Sequence, residues 1–143
     1  MKYTIYSTTT GQILQQTDCS ESAIELQCHH WPTGDTVSYV SGSYSSQLYR
    51  VVAGVPVPLP ACPGQYYVWD YIVNEWVADT TTAAAAATTQ RNDLLSASDW
   101  TQIPNGPLTA LQQQAWATYR QQLRDITDQP GYPMTIEWPV APQ

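Results

Sequence analysis

The chain contains no phenylalanine and only five basic residues among 143, against twelve acidic ones. The net charge of −7 argues against nucleic acid and anionic membranes as partners, because both are bound through clustered lysine and arginine. A run of about 18 apolar residues, which a membrane-spanning helix needs, is missing. The N-terminus turns polar after six residues and has no signal-peptide core. We therefore expect no membrane or nucleic-acid partner, and synthesis in a cytoplasm.

Cysteine is scarce, and its spacing fits no common framework. Cys19, Cys28 and Cys62 are odd in number and form no CxxC pair, so free thiols are favoured over disulfides. Cys19, Cys28 and the adjacent His29 and His30 do not have the spacing of zinc ligands. We expect neither a metal site nor a cofactor.

Catalytic motifs are equally sparse. The sequence has no GxSxG elbow and no glycine-rich phosphate-binding loop. Cys28 and His29 are sequence neighbours, which rarely orient as nucleophile and base. Asp70, Glu75 and Asp79 share one hairpin, where carboxylates are more often solvated than paired for acid–base work. The sequence therefore predicts a protein that is not an enzyme.

Tyrosine and tryptophan are abundant, with ten and six copies. Both bury a large apolar body and keep a polar group, which suits interfaces and equally suits the strands of a small β domain. With 43% hydrophobic residues, the chain can build one ordinary domain or two very small ones.

The first half of the chain has the pattern of short strands. Alternating residues predict a hairpin over 2–6 and 12–15 with its turn at 8–11, further strands over 36–40 and 47–52, and a second hairpin over 66–71 and 75–77. Residues 20–26 fit a turn or a short helix, and residues 31–35 a loop. The proline-rich run from Val55 cannot lie in the middle of a sheet, so it is an extended connector or an edge.

The second half has helical patterns. Five alanines, Ala83 to Ala87, predict a helix that continues to about Ser96, with Asp79 or a following threonine as its cap. Thr109 and Gln112 form a capping-box pattern at the start of a second, amphipathic helix that ends near Thr127. From Tyr132, apolar residues alternate along an extended tail. The fold class is thus α+β, with a β-rich domain (1–79), an Ala/Thr-rich helical connector (80–90) and a helix–loop–helix module with an extended tail (91–143).

The helical pattern also predicts individual roles. Trp116 and Arg120 have the spacing of a cation–π pair. Arg120 and Arg124 are candidates for binding a partner's carboxylates, or alternatively for pairing within the chain with Asp99 and Asp128. The predicted module core comprises Leu94, Leu95, Trp100, Leu108, Leu111, Trp116, Tyr119, Leu123, Ile126 and Trp138. The candidate partner-binding residues are Ala84, Ala85, Ala87, Arg91, Arg120, Arg124, Tyr67 and Trp69.

Several motifs occur together in the second half: SDWT at 98–101, a WxxYRQxLRD pattern from Trp116 to Asp125, and a closing Trp138-Pro139. In order and spacing, residues 88–142 resemble the C-terminal region of phage tail assembly chaperones, also described as tail fibre assembly proteins. The first 80 residues are only loosely similar to other small phage tail proteins. Asn105-Gly106 stands where the family often has an acidic residue before Pro-Leu.

This resemblance implies a structural, adaptor or assembly role in the tail, with fibre or baseplate chains as partners and self-association as a further option. The protein would be assembled in the host cytoplasm and located in the virion tail, or it would act as a transient chaperone absent from the virion. An alternative of a different class is a host-surface carbohydrate-recognition module that uses the aromatic N-terminal hairpins. The resemblance implies no catalytic residue.

Overall fold

The computed structural model describes residues 1–32 and 34–143 and has the predicted α+β architecture, with antiparallel β hairpins followed by helices. The chain divides into two compact units, Met1–Val77 and Ala78–Gln143, which we call the N-terminal and C-terminal units. The strands are β1 (Lys2–Ser7), β2 (Ile13–Asp18), β3 (Val37–Ser41), β4 (Tyr49–Val52), β5 (Val55–Pro58), β6 (Tyr67–Asp70) and β7 (Glu75–Ala78). The helices are α1 (Glu21–His29), α2 (Thr80–Ala97) and α3 (Ala110–Arg124), with 3-10 turns at Asp99–Gln102 and Asp125–Asp128.

Strand β1 is the centre of a three-stranded antiparallel sheet in the order β2-β1-β3. The predicted first hairpin is confirmed, since β1 pairs with β2. Gly11, at the end of the connecting turn, has a φ of +74°, and a Cβ there would collide with the carbonyl oxygen of Val51. Only glycine meets both constraints, and the Val51 amide donates to the Gly11 carbonyl at 2.9 Å.

Both faces of β1 are buried, because successive side chains point to opposite sides of a strand. On one face, α1 contributes to an apolar cluster formed by Tyr3, Ile5 and Ile24. A second cluster includes a residue of β4 and is formed by Tyr6, Ile13 and Val51. The core of the N-terminal unit is therefore two small clusters around one strand.

The remaining strands form two separate two-stranded sheets, β4-β5 and β6-β7. The proline-rich segment pairs along only one side, with Tyr49 opposite Pro58 and Val51 opposite Pro56, so the predicted edge position is confirmed. In the β6–β7 turn, the Asp70 carboxylate accepts from the amides of Ile72 (2.7 Å) and Val73 (3.2 Å).

The C-terminal unit is mainly helical. Residues 80–90, which the sequence singles out as a connector, are the first part of the continuous helix α2. Its N-cap is Asp79, whose carboxylate accepts from the Thr82 amide at 3.0 Å. In the tail, Met134, Ile136 and Trp138 are half-buried while Thr135 and Glu137 are exposed. In the part of the chain that the structure describes, no helix combines the length and the apolar character required to cross a membrane.

Candidate functional site

Helix α3 begins with the capping box that the sequence predicts. The Gln112 amide donates to the Thr109 hydroxyl at 3.3 Å, and the Thr109 amide donates to the Gln112 side-chain oxygen at 3.0 Å. These two bonds satisfy backbone donors that a helix start leaves without partners, and they set the first residue of α3.

The C-terminal end of α2 is closed by Ser98. Its hydroxyl lies within hydrogen-bond distance of two carbonyl oxygens, 2.9 Å from Leu94 and 3.0 Å from Leu95. Ser98 is only 2% exposed, and its hydroxyl supplies a donor to carbonyls that the end of a helix leaves without partners.

Arg120 of α3 completes this closure. Its guanidinium donates to the Leu95 carbonyl at 2.6 Å, to the Ser98 hydroxyl at 2.8 Å and to the Asp99 carboxylate at 2.8 Å. We call these four residues the Arg120 clasp. A cation at a helix C-terminus also interacts favourably with the helix dipole. The clasp thereby fixes α3 to the last turn of α2.

The partners in the ion pair of the clasp differ greatly in exposure. The Arg120 side chain is 9% exposed and the Asp99 side chain 66%. Because Asp99 remains hydrated, its attraction for Arg120 is weakened by solvent. The hydrogen bonds to the carbonyl and hydroxyl acceptors therefore offset much of the desolvation free energy of the buried guanidinium. The predicted intramolecular alternative, Arg120 with Asp99, is confirmed. The prediction of Arg120 as a partner-binding residue is wrong, because its side chain is buried and both terminal nitrogens of its guanidinium donate inside the unit.

The SDWT motif spans the clasp and the 3-10 turn after it. The Thr101 hydroxyl donates to the Ser98 carbonyl at 2.6 Å, and Thr101 is 5% exposed. Trp100 points the other way and is 47% exposed, with its ring centroid 5.8 Å from that of Trp116. Trp116 in turn meets Tyr119 edge-to-face at 5.6 Å. The motif therefore has an inward polar side and an outward aromatic side.

This arrangement corrects one predicted contact. Trp116 packs against Trp100 and Tyr119, and the predicted cation–π pair of Trp116 with Arg120 is not among the contacts of the described residues. The reason is that the three acceptors of the clasp hold the guanidinium. A cation–π contact occurs instead in the N-terminal unit, where Arg50 lies 5.4 Å from the centre of the Trp69 ring.

The predicted core of the C-terminal unit is partly correct. Tyr119, Leu123 and Ile126 are 5% exposed or less. The half-buried members are Leu94, Leu95, Leu108, Trp116 and Trp138. Two predictions are wrong, since Leu111 is 80% exposed and Trp100 is 47% exposed. At about 100° per residue, Leu111 lies roughly 100° away from the direction midway between Tyr119 and Leu123, so the buried arc is narrower than predicted.

The candidate partner-binding residues of α2 fall on different sides of the helix. Ala87 is 5% exposed, and Ala83, one helical turn before it, is 1% exposed. The prediction that Ala87 contacts a partner is therefore wrong. Ala84 and Arg91 are half-buried, and Ala85 is exposed. The five alanines thus have a buried side within the chain, which their small size permits.

The other candidates are spread over both units. Arg124 is exposed, and the predicted pair with Asp128 is not among the ion pairs of the described residues. The Arg91 guanidinium contacts the adjacent Asn92 side-chain oxygen at 3.1 Å. Tyr67 and Trp69 are half-buried on β6, in the N-terminal unit.

A groove of about 630 Å³ in the C-terminal unit has no counterpart in the sequence patterns. The Gln129 side-chain amide donates to the Glu137 carbonyl at 2.9 Å and accepts from the Glu137 amide at 2.8 Å, as a neighbouring strand would. At Gly131 a Cβ would collide with the Thr135 carbonyl oxygen. The groove is lined by Gln122, Asp125, Gln129, Pro130, Gly131, Thr135, Glu137, Trp138 and Pro139.

We call this groove, beside the extended C-terminal segment of the chain, the tail groove. Its lining is acidic and aromatic. Asp125 and Glu137 contribute carboxylates, Trp138 an indole, and two prolines apolar surface; no basic side chain is present. Such a lining suits an extended segment that carries a cation on an apolar stem, because the stem contacts the rings and the charge faces the carboxylates. Sequence reasoning missed the groove because it depends on an amide–backbone bond across eight residues.

Cys28 and His30 have structural surroundings within the N-terminal unit. Burial raises the pKa of Cys28, with a further contribution from Cys19, whereas a nucleophilic cysteine needs a lowered pKa. His30 contacts its own helix, with Nδ1 3.0 Å from the Leu26 carbonyl. Within residues 1–32 and 34–143, no group of three or more His, Cys, Asp or Glu side chains could hold a metal ion.

The hairpin carboxylates have structural partners. Asp70 organises the β6–β7 turn, as described above, and Asp79 caps α2. The hydrogen bond from the Thr82 side chain, followed by that from its backbone amide, lowers the pKa of Asp79. A group held ionised in this way is poorly suited to act as a general acid near neutral pH.

One comparison with known proteins finds a match to most of the C-terminal unit. A family model described as phage tail assembly chaperone protein matches residues 84–143. No curated protein and no solved structure matches the chain. The matched segment contains Ser98, Asp99 and Arg120 of the clasp and every residue that lines the tail groove. Residues 84–143 of the chain are therefore similar to phage tail assembly chaperone proteins.

Proposed function

We propose that the chain is a phage tail assembly factor that binds another tail protein, a fibre or baseplate chain, through its C-terminal unit. The observation that carries the proposal is the family match over residues 84–143, which falls inside the compact unit Ala78–Gln143. Because the matched segment lies within one compact unit, that unit can perform the task that the family members have in common.

The distribution of the family-motif residues supports a division of labour within this unit. Ser98, Thr101 and Arg120 point inward and hold the helices together. The partner is then bound by what remains accessible, namely the tail groove, the exposed ring of Trp100 and the side chain of Leu111. Rigid support beneath an exposed aromatic residue lowers the entropy lost on binding.

We expect the function to depend on contacts and not on catalysis. The burial that raises the pKa of Cys28 disfavours its thiolate, and Arg120, Asp70 and Asp79 are engaged in structural hydrogen bonds. Cysteine thiols and carboxylates are among the side chains that supply nucleophilic or acid–base chemistry in enzymes.

Photo-crosslinking in phage-infected cells tests the proposal. Benzoylphenylalanine at Leu111 or at Gln122 in the tail groove should yield a covalent adduct with a phage tail protein. The matched control is the same amino acid at Asn92, an exposed position of α2. Adducts with host proteins alone, or an identical adduct pattern at Asn92, would contradict binding through this surface.

Within this function, the chain acts as an assembly factor in the host cytoplasm, and its presence in the finished tail distinguishes two forms of that role. Mass spectrometry of purified particles separates them. Stoichiometric copies identify an adaptor that remains in the virion tail, whereas absence identifies a transient chaperone. A second copy of the chain as the only crosslinked partner would point to self-association instead.

A further inference from the structure

The N-terminal unit contains a second cleft, of about 580 Å³, which the tail-assembly proposal does not use. Its volume lies within the range of about 300–1,000 Å³ that is typical of small-molecule sites. The cleft lies between the β6–β7 hairpin, the start of β2 and the segments on either side of the β4–β5 sheet. Its lining residues are Gln12, Ile13, Ser46, Gln47, Leu48, Leu59, Cys62, Gly64, Gln65, Tyr67, Val68, Trp69, Tyr71 and Trp76.

The aromatic wall of the cleft is fixed by contacts within the unit. The Tyr71 hydroxyl donates to the Ser46 carbonyl at 2.8 Å, which ties the hairpin to the opposite wall. Trp69 and Trp76 meet edge-to-face with ring centroids 5.5 Å apart. The Arg50 guanidinium lies 5.4 Å from the centre of the Trp69 ring. A ligand would therefore meet a wall that is already in place, at a low cost of ordering.

The lining of the cleft is uncharged, although the unit around it is acidic. Residues 1–77 contain six acidic and two basic side chains, a net charge of −4, yet none of these eight lines the cleft. The Tyr71 hydroxyl is neutral near pH 7, as a tyrosine ordinarily is, and burial raises its pKa further. Nucleotides and charged peptides are poor matches for such a lining, because they are recognised through opposite charges.

Three side-chain amides at the cleft have their hydrogen-bonding capacity unused. Gln12, Gln47 and Gln65 are exposed, and their side chains are in none of the hydrogen bonds recorded within the described part of the chain. Each amide offers two N–H donors and a carbonyl acceptor, a set that matches the hydroxyls of a neutral polyhydroxylated ligand. The ring faces and edges of Tyr67, Trp69 and Trp76 provide the apolar surface that the C–H face of a sugar contacts.

A proline-rich peptide is the competing occupant, and the chain itself argues against it. Proline-rich segments dock on aromatic-lined grooves, where an indole N–H can bond a peptide carbonyl. The Trp76 indole already donates to the carbonyl of Pro60 at 3.1 Å, in the chain's own proline-rich segment. An apolar peptide would also make no use of the amides of Gln47 and Gln65, which the hydroxyls of a sugar can bond. The observations therefore favour a saccharide.

We propose that this cleft binds a neutral saccharide of a glycan, with the aromatic wall contacting the sugar ring and the three amides bonding its hydroxyls. The site is separate from the partner surface of the C-terminal unit and gives the chain a second, recognition function.

The test uses the full chain on a printed array of neutral oligosaccharides built from glucose, galactose, mannose, rhamnose and N-acetylglucosamine, beside sialylated glycans. Binding to one or more neutral glycans is expected. A uniformly blank array, or binding to the anionic glycans alone, would overturn the proposal.

Variants then localise the binding by titration calorimetry with the neutral oligosaccharide that gives the strongest array signal. The double variant Gln47→Ala/Gln65→Ala should weaken binding at least tenfold, and Leu48→Glu should abolish it, because Leu48 lines the cleft and is 63% exposed. The matched control is Gln27→Ala, an exposed glutamine of α1, which should bind like the unchanged chain. Near-ultraviolet circular dichroism verifies that each variant is folded.

Three outcomes of this titration would overturn the site: equal affinity in all variants, equal loss in the control, or displacement of the sugar by a polyproline peptide. The crosslinking test of the C-terminal unit is independent of all three. Failure of the glycan site and failure of the assembly function are therefore distinguishable.

Discussion

At the scale of single residues, Arg120 illustrates why a charge in an amphipathic helix is difficult to interpret from sequence. Its helical position next to Trp116 is compatible with binding a partner, pairing with Asp99 or stacking on a ring. The choice depends on the packing of α3 against the C-terminal end of α2, which brings Ser98 and the Leu95 carbonyl within reach of the guanidinium. No periodicity encodes that packing.

The clasp predicts a large difference between two arginines of α3. Arg120→Met should lower the free energy of unfolding by about 2–4 kcal/mol, because it leaves the Leu95 carbonyl and Ser98 without their charged donor. Arg120→Lys should restore little of this loss, since an ammonium cannot reproduce the planar fork that reaches three acceptors. Arg124→Met, at an exposed position, is the control and should change stability by less than about 0.5 kcal/mol. Urea unfolding measures all three; equal effects at positions 120 and 124 would contradict the clasp.

Two leucines of α3 provide a second residue-scale prediction. Leu123 is fully buried, so Leu123→Ala should destabilise the protein by about 2–5 kcal/mol through lost burial and the resulting cavity. Leu111 is 80% exposed, so Leu111→Ala should change stability by less than about 0.5 kcal/mol. The comparison is made by thermal unfolding. A large loss at Leu111 would restore the broader core that the helical pattern suggests.

At the scale of elements, local signals in the sequence predict much of the fold. The capping box at Thr109, the first hairpin and the β6–β7 hairpin are confirmed because each depends on residues close together in the chain. Pairing between distant strands is less accessible. Strand β3 pairs with β1, and β4 pairs with β5. Tertiary packing decides these pairings, because the pattern of a strand does not show which strand it will pair with.

The cap of α2 predicts a dependence on pH. Hydrogen bonds from the side chain and backbone of Thr82 lower the pKa of Asp79 below its value of about 3.9 in an unfolded chain. The stabilisation is therefore complete above the unfolded pKa and is lost as the pH falls through the folded pKa. Urea midpoints between pH 7 and pH 2 should show this loss in the unchanged chain. Asp79→Asn, which retains a neutral cap, should show a smaller decrease; an identical pH profile would contradict the assignment.

Two alanines in α2 separate packing from partner contact. Ala87→Arg should destabilise the fold by about 3 kcal/mol or more, because an unpaired charge is forced into a buried position. Ala85→Arg should leave the melting temperature nearly unchanged, since Ala85 is exposed and arginine is a good helix former. If α2 also contacts a partner through Ala85, the same variant should lower the yield of complete tails. Unchanged tails would mean that α2 contacts no partner at Ala85 and that only its buried side, at Ala83 and Ala87, has a packing role.

At the scale of the whole molecule, the sequence predicts the class of protein more successfully than it predicts which surfaces are exposed. The SDWT and WxxYRQxLRD motifs lead to the tail assembly family because their order and spacing agree together, and the match over residues 84–143 bears this out. Of the eleven motif residues, five are buried in the C-terminal unit and five are exposed; Arg120 and Ser98 are examples of the buried ones. The tail groove, with Gln129 bonded to Glu137, is formed by contacts that the motifs do not encode.

The most direct test of the proposed function is the morphology of particles made without this protein. A phage in which its gene is interrupted early by a stop codon should produce filled heads with incomplete or fibreless tails, visible by negative-stain electron microscopy. Supplying the chain from a plasmid should restore complete tails, whereas supplying the Arg120→Met variant should restore fewer. Complete, infectious particles in the absence of the chain would contradict a role in tail assembly.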